Sequence, residues 1–551
     1  MIRIRALLVL AVLAGLLPSV RGQEFRRLPA REYRDKMKAG WIGQIIGVSW
    51  GAPTEGRYRQ IMPEDKMPPF RDTLVNDAFG QDDLYVEMTF LRSLEQYGLD
   101  VSQRQAGIDF ANSGYLLWVA NNAGRKNLRN GIAPPDSSHP KFHNCAGAID
   151  YQIEADYAGL IAPGMPNTVI ALGEKFGRLM NYGDGLYAGQ FMGAMYAEAF
   201  FTTDVEKFIA AGLAAIPAEC RYSEMVRDML RWRRENANDW EATWALVDKK
   251  YRSKEYYVSA LDVKLEGAFV LMGLLYGNSD PDRTIIISCR CGSDSDCNPS
   301  SSGGVLFTAL GLEKLSDRYY RQLDENRVFS HTAYNFPALL AACEKLARQA
   351  LVQEGGRVEK DAGGEEVFVI PVKKPVPSKF EDLLKPGPIT DSRFTEAERA
   401  QITAPSSDKL LKDAVEKFAP GWQIANCGPD MEPGLRAEEQ GKKNVLVTHP
   451  LDAQTGCVLS KSVAIPAGKT TKLCLAVGHY PQGDWDLIVR ADGKQLLRQP
   501  IDKTTAPGGW TEVVVDLSPL AGQTVKLDLV NQPTGWAWEA GYWASIRIAI
   551  E

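Results

Sequence analysis

With 551 residues, 45% of them hydrophobic and 24% charged, the chain is long enough to bury two separate cores. Its formal net charge of −6 gives no basis for recognising nucleic acid or an anionic membrane. Nine scattered cysteines do not make a disulfide scaffold, and five histidines supply a histidine-based mechanism poorly. Cys289, Cys291 and Cys297 lack the CxxC or histidine partners of a zinc site.

The N-terminus carries Arg3 and Arg5, an apolar run from Ala6 to Leu17, and Val20-Arg21-Gly22 before Gln23. This is the pattern of a secretory signal over residues 1–22, too short to span a bilayer, and no later segment is long and apolar enough to do so. The expectation is a soluble exported protein, secreted or periplasmic, whose mature chain begins near Gln23. Export leaves room for one or two disulfides, whose pairing the sequence leaves open.

From Arg31 the pattern is helical. Tyr33, Met37, Trp41 and Ile45 recur four apart, while Gly40, Gly43 and Gly47 form a narrow face suited to tight packing. This helix runs into the loop Gly47-Val48-Ser49-Trp50-Gly51-Ala52-Pro53-Thr54-Glu55-Gly56, whose one acid is Glu55. Residues 81–94 then read as a helix opening on Asp82 and Asp83, with Leu84, Met88, Leu91 and Leu94 on its apolar face. Asp83 and Glu87 share another face, and like charges at that spacing favour either a cation or a solvated helix end.

Residues 115–165 are polar and turn-rich, and read as a binding or lid element or a surface insertion. They include Asn121-Asn122-Ala123-Gly124 and the acidic, aromatic stretch Ile149–Tyr157. Helical patterns return at 186–200, 225–247 and 261–276. The stretch Cys291–Gly304 holds Asp294 and Asp296 one residue apart among serines and glycines. Two carboxylates that near suit a hard cation, or cap a helix N-terminus. The domain over residues 31–350 is therefore expected to be mostly α.

Residues 351–420 change texture, with a hairpin near Gly355–Lys374 and a proline- and lysine-bearing linker from Pro371 to Pro388. From 421 to 551 short alternating strands are expected at 444–448, 471–477, 485–489, 511–517, 524–529 and 543–550, giving an antiparallel β-sandwich of jelly-roll type. Trp485, Trp510, Trp536, Trp538 and Trp543 are divided between its core and a carbohydrate platform.

The loop Gly47–Gly56, Gln81-Asp82-Asp83, and Gly292-Ser293-Asp294-Ser295-Asp296-Cys297-Asn298 with Gly303, Gly304 and Gly311 together resemble the ADP-ribosylglycohydrolase family. That family includes the dinitrogenase-reductase-activating glycohydrolase and the ADP-ribosyl-acceptor hydrolases. The resemblance covers about Met37 to Gly311, and the three motifs occur in family order. It implies an all-α bundle with two Mg2+ or Mn2+ ions in a central cleft. By motif, Gln81, Asp82, Asp83, Asp294 and Asp296 stand at the metal-ligand positions and Glu55 at the loop glutamate near metal and ribose. Asp156 falls in the substrate and base loop, making Glu55 and Asp156 the catalytic candidates. Asn122, Gly124, Tyr157 and Ser295 are the candidate substrate contacts. Gln81 and Cys297 each replace a family threonine, and Asn181-Tyr182-Gly183-Asp184 lacks the family's histidine, which puts metal identity and substrate in question.

The implied chemistry is hydrolysis of an N- or O-glycosidic bond through an oxocarbenium-like transition state, with water activated at the ions. The C-terminal sandwich resembles carbohydrate-binding modules of secreted glycosidases. Three functions follow: a metal-dependent ADP-ribosyl or ribosyl glycohydrolase, an extracellular glycoside hydrolase on another saccharide, or a noncatalytic crystallin-like binding protein. The intact acidic pairs disfavour the last. The partner is a small molecule or glycan, and the sequence leaves the oligomeric state open.

Overall fold

The computed structural model describes residues 23–252, 261–428, 431, 433–535 and 538–551. The expected signal segment, residues 1–22, lies outside these residues, as does Trp536. The chain divides into two compact units between Ile402 and Thr403.

The first unit is helical and is built around two helices, Ala30–Gly51 and Cys297–Leu310. Tyr33, Met37, Trp41 and Ile45 of the former are buried, as their spacing predicts. Its glycines face the serine- and glycine-rich helix so closely that a Cβ on Gly43 would stand 2.7 Å from the Gly303 carbonyl carbon, and one on Gly47 2.5 Å from Ser300 N. Absent side chains let the two backbones touch, and that contact aligns the loops at their ends. Around them pack the helices Asp82–Tyr97, Asp184–Ala199, Val263–Tyr276, Pro281–Arg290 and Phe336–Gln353. Within Pro281–Arg290 the β-branched run 284–287 is helical. Pro281 stands in the first turn, and the Asp280 side chain accepts the Arg283 N–H, so a strong start outweighs weak propensity. Among the described residues no helix is long and apolar enough to cross a membrane.

Residues 115–165 are more ordered than their composition predicts. They contain the helices Val119–Arg129, Asp150–Ile153 and Asp156–Leu160, and most of the segment from Asp150 onward is buried. Trp118 precedes the first of these without a side-chain cap; instead Asp150 accepts the Ala120 N–H at 3.2 Å and the Asn121 N–H at 2.8 Å. Polar groups here satisfy one another inside the protein, so polarity does not signal solvent.

The strands β1 (Phe25–Pro29), β2 (Arg357–Lys360) and β3 (Glu366–Pro371) form an antiparallel sheet in the order β1-β3-β2. The expected hairpin is present, with an N-terminal strand added along β3. The expected linker is instead a strap on the helical unit. Tyr187 donates its hydroxyl to Lys379 O at 2.8 Å and accepts the Glu381 N–H at 2.7 Å. Arg178 pairs with Glu381 at 2.7 Å, and Leu383 packs with Ala146 and Tyr182. Asp136 accepts the N–H groups of Thr390 at 2.9 Å and Ser392 at 2.8 Å. Prolines bar this segment from a regular sheet, so side chains of the helical body take up its backbone groups.

The second unit starts before Gly421, with the helix Ser407–Phe418, whose Val415 lies in the sandwich core. Its strands are β4 (Gln423–Ala425), β5 (Gly434–Glu439), β6 (Lys442–Thr448), β7 (Cys457–Ala464), β8 (Thr471–His479), β9 (Trp485–Ala491), β10 (Lys494–Ile501), β11 (Trp510–Asp516), β12 (Thr524–Gln532) and β13 (Gly541–Ile550). They make two antiparallel five-stranded sheets, β10-β9-β12-β7-β4 and β11-β8-β13-β6-β5. One core between them takes Leu459, Leu487 and Leu529 from one sheet and Leu446, Leu475 and Val515 from the other. Of the strands sequence patterning does not mark, β4, β5 and β10 are edges with weak alternation, and β7 is interrupted by Ser460, Lys461 and Ser462. Trp485 and Trp543 are core, with ring centroids 5.3 Å apart. Trp538 is exposed and stacks on Tyr480 at 5.0 Å.

Candidate functional site

The helix Pro281–Arg290 is followed by a tight reversal in which Gly292 and Ser293 both take left-handed backbone, with φ of 78° and 61°. Glycine adopts this freely, whereas Ser293 needs holding. Its hydroxyl donates to Glu266 Oε1 at 2.5 Å, and Asn298 Nδ2 donates to Glu266 Oε2 at 2.7 Å. One buried carboxylate thus clamps both ends of the turn and sets Asp294 and Asp296 at the start of Cys297–Leu310.

The loop bearing Glu55 is zipped to the same turn. Gly56 N–H donates to Ser293 O at 3.1 Å, Ser293 N–H to Tyr58 O at 2.7 Å, and the Thr54 and Ser295 hydroxyls share a hydrogen bond at 2.8 Å. Glu55 itself is exposed, and its charge acts on both Asp82 and Asp296. Asp82 and Asp83 open their helix, with Gln81 as the preceding half-buried cap residue. Asp83 Oδ2 accepts from Cys297 Sγ at 3.3 Å, so the two acidic motifs, more than 200 residues apart in sequence, meet.

Burial pushes the Asp82 carboxyl up to about 6, with Glu55 adding to it, and the Asp296 carboxyl up to about 7, again with Glu55. Burial and then Asp82 and Asp296 hold Asp83 well above the ordinary carboxylate range; for Asp294 burial is followed by Asp296 and Glu266. The neighbours that act most strongly on these four carboxyls are other acids. Asp83 Oδ1, Asp296 Oδ1 and Asn298 Oδ1 are buried without a hydrogen-bond partner. Ligand atoms of Asp294, Asp296 and Cys297 lie within 4.8 Å of one another. Crowded, desolvated carboxylates with unused oxygens are a donor set that a divalent cation fits.

Further acids lie inward. Glu87 accepts Gln44 Nε2 at 2.5 Å and the Tyr157 N–H at 2.9 Å. Asp156 is fully buried, accepts the Tyr196 hydroxyl at 2.7 Å, and is pushed by burial to about 8. Its charge acts on Glu87, the next acid inward. Tyr157 is fully buried, its ring packed near Phe90 and Phe176. Gly124 is a packing position, where a Cβ would stand 2.5 Å from Leu179 O. Asn122 is half-buried, and the neighbouring Asn121 is the amide that donates to Glu154. Ser295 is buried in its bond to Thr54.

Sequence reasoning did not single out Glu266, Asn298, Asn121 or Tyr196. Glu266 had a readable signal, as the lone acid in the apolar run 265–276. The others had none, since amides and tyrosines within helices are common.

Residues 29–356 match the family model described as ADP-ribosylglycohydrolase. The chain belongs to the ADP-ribosylglycohydrolase family. Membership supports a hydrolase acting on glycosyl bonds, and the helical first unit has the ADP-ribosylglycohydrolase fold. A solved "ADP-ribosylglycohydrolase-related protein complex" is similar at 15% identity with a TM-score of 0.38, covering 58% of this chain and 99% of that one. The CBM22-1 xylan-binding domain from Paenibacillus barcinonensis Xyn10C is similar at 16% identity and a TM-score of 0.19, covering 24% of this chain and 87% of that domain. A cyclase from Fischerella sp. TAU is similar at 14% identity and a TM-score of 0.19, covering 24% and 86%. No curated protein matches this chain in sequence.

Proposed function

We propose that this family member is an exported, metal-dependent hydrolase of ADP-ribosyl or ribosyl glycosidic bonds. The observation that carries the reading is the convergence of Asp82, Asp83, Asp294 and Asp296 with buried, unpartnered oxygens on Asp83 and Asp296. These four, with Gln81 beside them, would hold two Mg2+ or Mn2+ ions, which when bound supply positive charge that orients sugar hydroxyls and acidifies water.

The chain's own groups do the rest. While ionised, Glu55, exposed beside Asp82 and Asp296, steadies the cationic sugar that forms as the glycosidic bond breaks; it then takes the proton of the water that adds, and the leaving group takes a proton from solvent. Glu266 fixes the turn that carries Asp294 and Asp296. Asp156 and Glu87, away from solvent, brace the acidic helix against the Tyr157 backbone and Tyr196.

Calorimetric titration with ADP-ribose, in Mg2+ and again in chelator, tests this. Binding in Mg2+ that chelation removes is the expected result, and no binding in either condition would sink the ADP-ribosyl reading. A second reading, hydrolysis of another extracellular saccharide, is favoured by the exposed Trp538 stacked on Tyr480 in the sandwich unit. Metal binding without ADP-ribose binding would support it, and a glycan panel would follow.

A further inference from the structure

We infer that Cys297 is itself a metal ligand, and that its sulfur raises this site's affinity for borderline divalent ions such as Co2+ and Zn2+ relative to Mg2+. The inference rests on the proposed metal site and adds a sulfur donor to its carboxylates.

Three features carry it. The Cys297 Sγ lies with carboxylate oxygens of both Asp294 and Asp296 inside a 4.8 Å group, a spread that one ion can bridge. The sulfur also lies 3.3 Å from Asp83 Oδ2, so it stands between the two acidic motifs and not at the edge of one. Asp83 and Asp296 are almost wholly buried, and each keeps an oxygen with no partner. The centre is therefore short of positive charge where the sulfur sits.

With no cation bound, burial and the carboxyls of Asp294, Asp296 and Asp83 hold the Cys297 thiol well above its ordinary range, so the thiolate forms only as an ion binds. Mg2+ takes oxygen ligands at short, near-octahedral distances, and a thiol at the centre offers it a poor donor. Thiolate raises affinity for Co2+ and especially Zn2+ relative to Mg2+. On binding, the S–H bond breaks, its proton passes to solvent, and the sulfur lone pair goes to the ion. Nothing is oxidised or reduced.

The test is titration of the full chain, stripped of metal, with Co2+, read by absorption. Visible d–d bands report that cobalt binds at all, and a near-ultraviolet sulfur-to-cobalt band reports thiolate ligation. Both should grow together in the wild type. In Cys297→Ser the near-ultraviolet band should vanish while the d–d bands remain. Zn2+ affinity should then fall about tenfold or more, the scale on which a metal site responds to one altered contact, with Mg2+ affinity unchanged. Wild-type d–d bands without the sulfur band would overturn the inference and leave the metal site standing. A sulfur band that survives in Cys297→Ser would assign it to another cysteine and overturn the inference equally. No cobalt signal of either kind would sink the metal site and this inference with it.

Discussion

Gly51 and Asp296 meet backbone to backbone: a Cβ on Gly51 would stand 2.6 Å from Asp296 Cα and overlap the Ser295 carbonyl. The last residue of the first long helix therefore sets the position of a site carboxylate. Gly51→Ala forces one of the two backbones to move. A loss of about 1–3 kcal/mol is expected, as for overpacking in a tight core, together with weaker divalent-ion binding because Asp296 shifts. Thermal unfolding and Mn2+ calorimetry on one variant check both. A variant that kept its melting temperature and its affinity would show that the close approach is slack.

Asp294→Ala removes one anionic ligand from a site that needs several. Divalent-ion affinity should drop by at least ~10–100-fold, the range seen when a supporting group of a metal site is lost. The fold should persist, since the removed carboxyl is held well above its ordinary range by burial, Asp296 and Glu266. Calorimetry with Mn2+, with circular dichroism as the folding control, reads this. Wild-type affinity in the variant would refute the metal assignment.

The long-range contacts of this site were legible in the sequence and its inner layer was not. Asp82, Asp83, Asp294 and Asp296 stand out because paired acids at helix starts are chemically conspicuous, and the glycines at 43 and 47 announce a close helix pair. The buried helices of segment 115–165 were not legible because its polar groups bond to each other inside the protein, as Asp150 does at the start of Val119–Arg129. Patterning assumes that polar means wet, and a buried acidic centre breaks that assumption. The same failure hid the strap, since patterning reads Pro371 to Pro388 as a linker: the partners of residues 379–392, Tyr187, Arg178 and Asp136, lie some 190 to 260 positions away in sequence, beyond any local pattern.

Glu266 should act through position alone. In Glu266→Leu both the Ser293 hydroxyl and the Asn298 amide lose their acceptor in a buried place, at about 1–3 kcal/mol for each group left unsatisfied. Glu266→Gln keeps the shape and one acceptor, so it should recover part of the stability and most of the metal affinity. Chemical denaturation and Mn2+ titration of the two variants side by side distinguish the roles. Equal loss of metal binding in both, with folding intact, would instead make Glu266 a direct ligand.

The strap fixes where the first unit can be cut. A chain ending at Ile402 keeps the β1-β3 pairing and the bonds from Tyr187, Arg178 and Asp136, and should unfold cooperatively by itself. A chain ending at Ala350 loses β2, β3 and the strap together. It exposes Phe368 and Ile370 partners in the core and should be poorly soluble or unfolded. Proteolysis and thermal melts of the two decide the point. Equal stability of both would return Pro371 to Pro388 to the status of a linker.

Removing metal should give the protein an unusual pH dependence. Burial pushes Asp150 and Glu266 up to about 7 and Asp156 up to about 8, against 3.8 to 4.5 for the unburied groups. Between about pH 4 and pH 8 these carboxyls keep their protons in the folded chain and lose them in the unfolded one. The folded state then binds more protons, so the stability of the metal-free protein falls as pH rises through that window. Divalent ions compete with the protons of this centre, so the rise in melting temperature they give should grow over the same range. Melting curves from pH 4 to 8, in chelator and in Mn2+, measure both slopes. A metal-free protein that became more stable toward pH 8 would mean that burial does not hold these acids protonated in the folded chain.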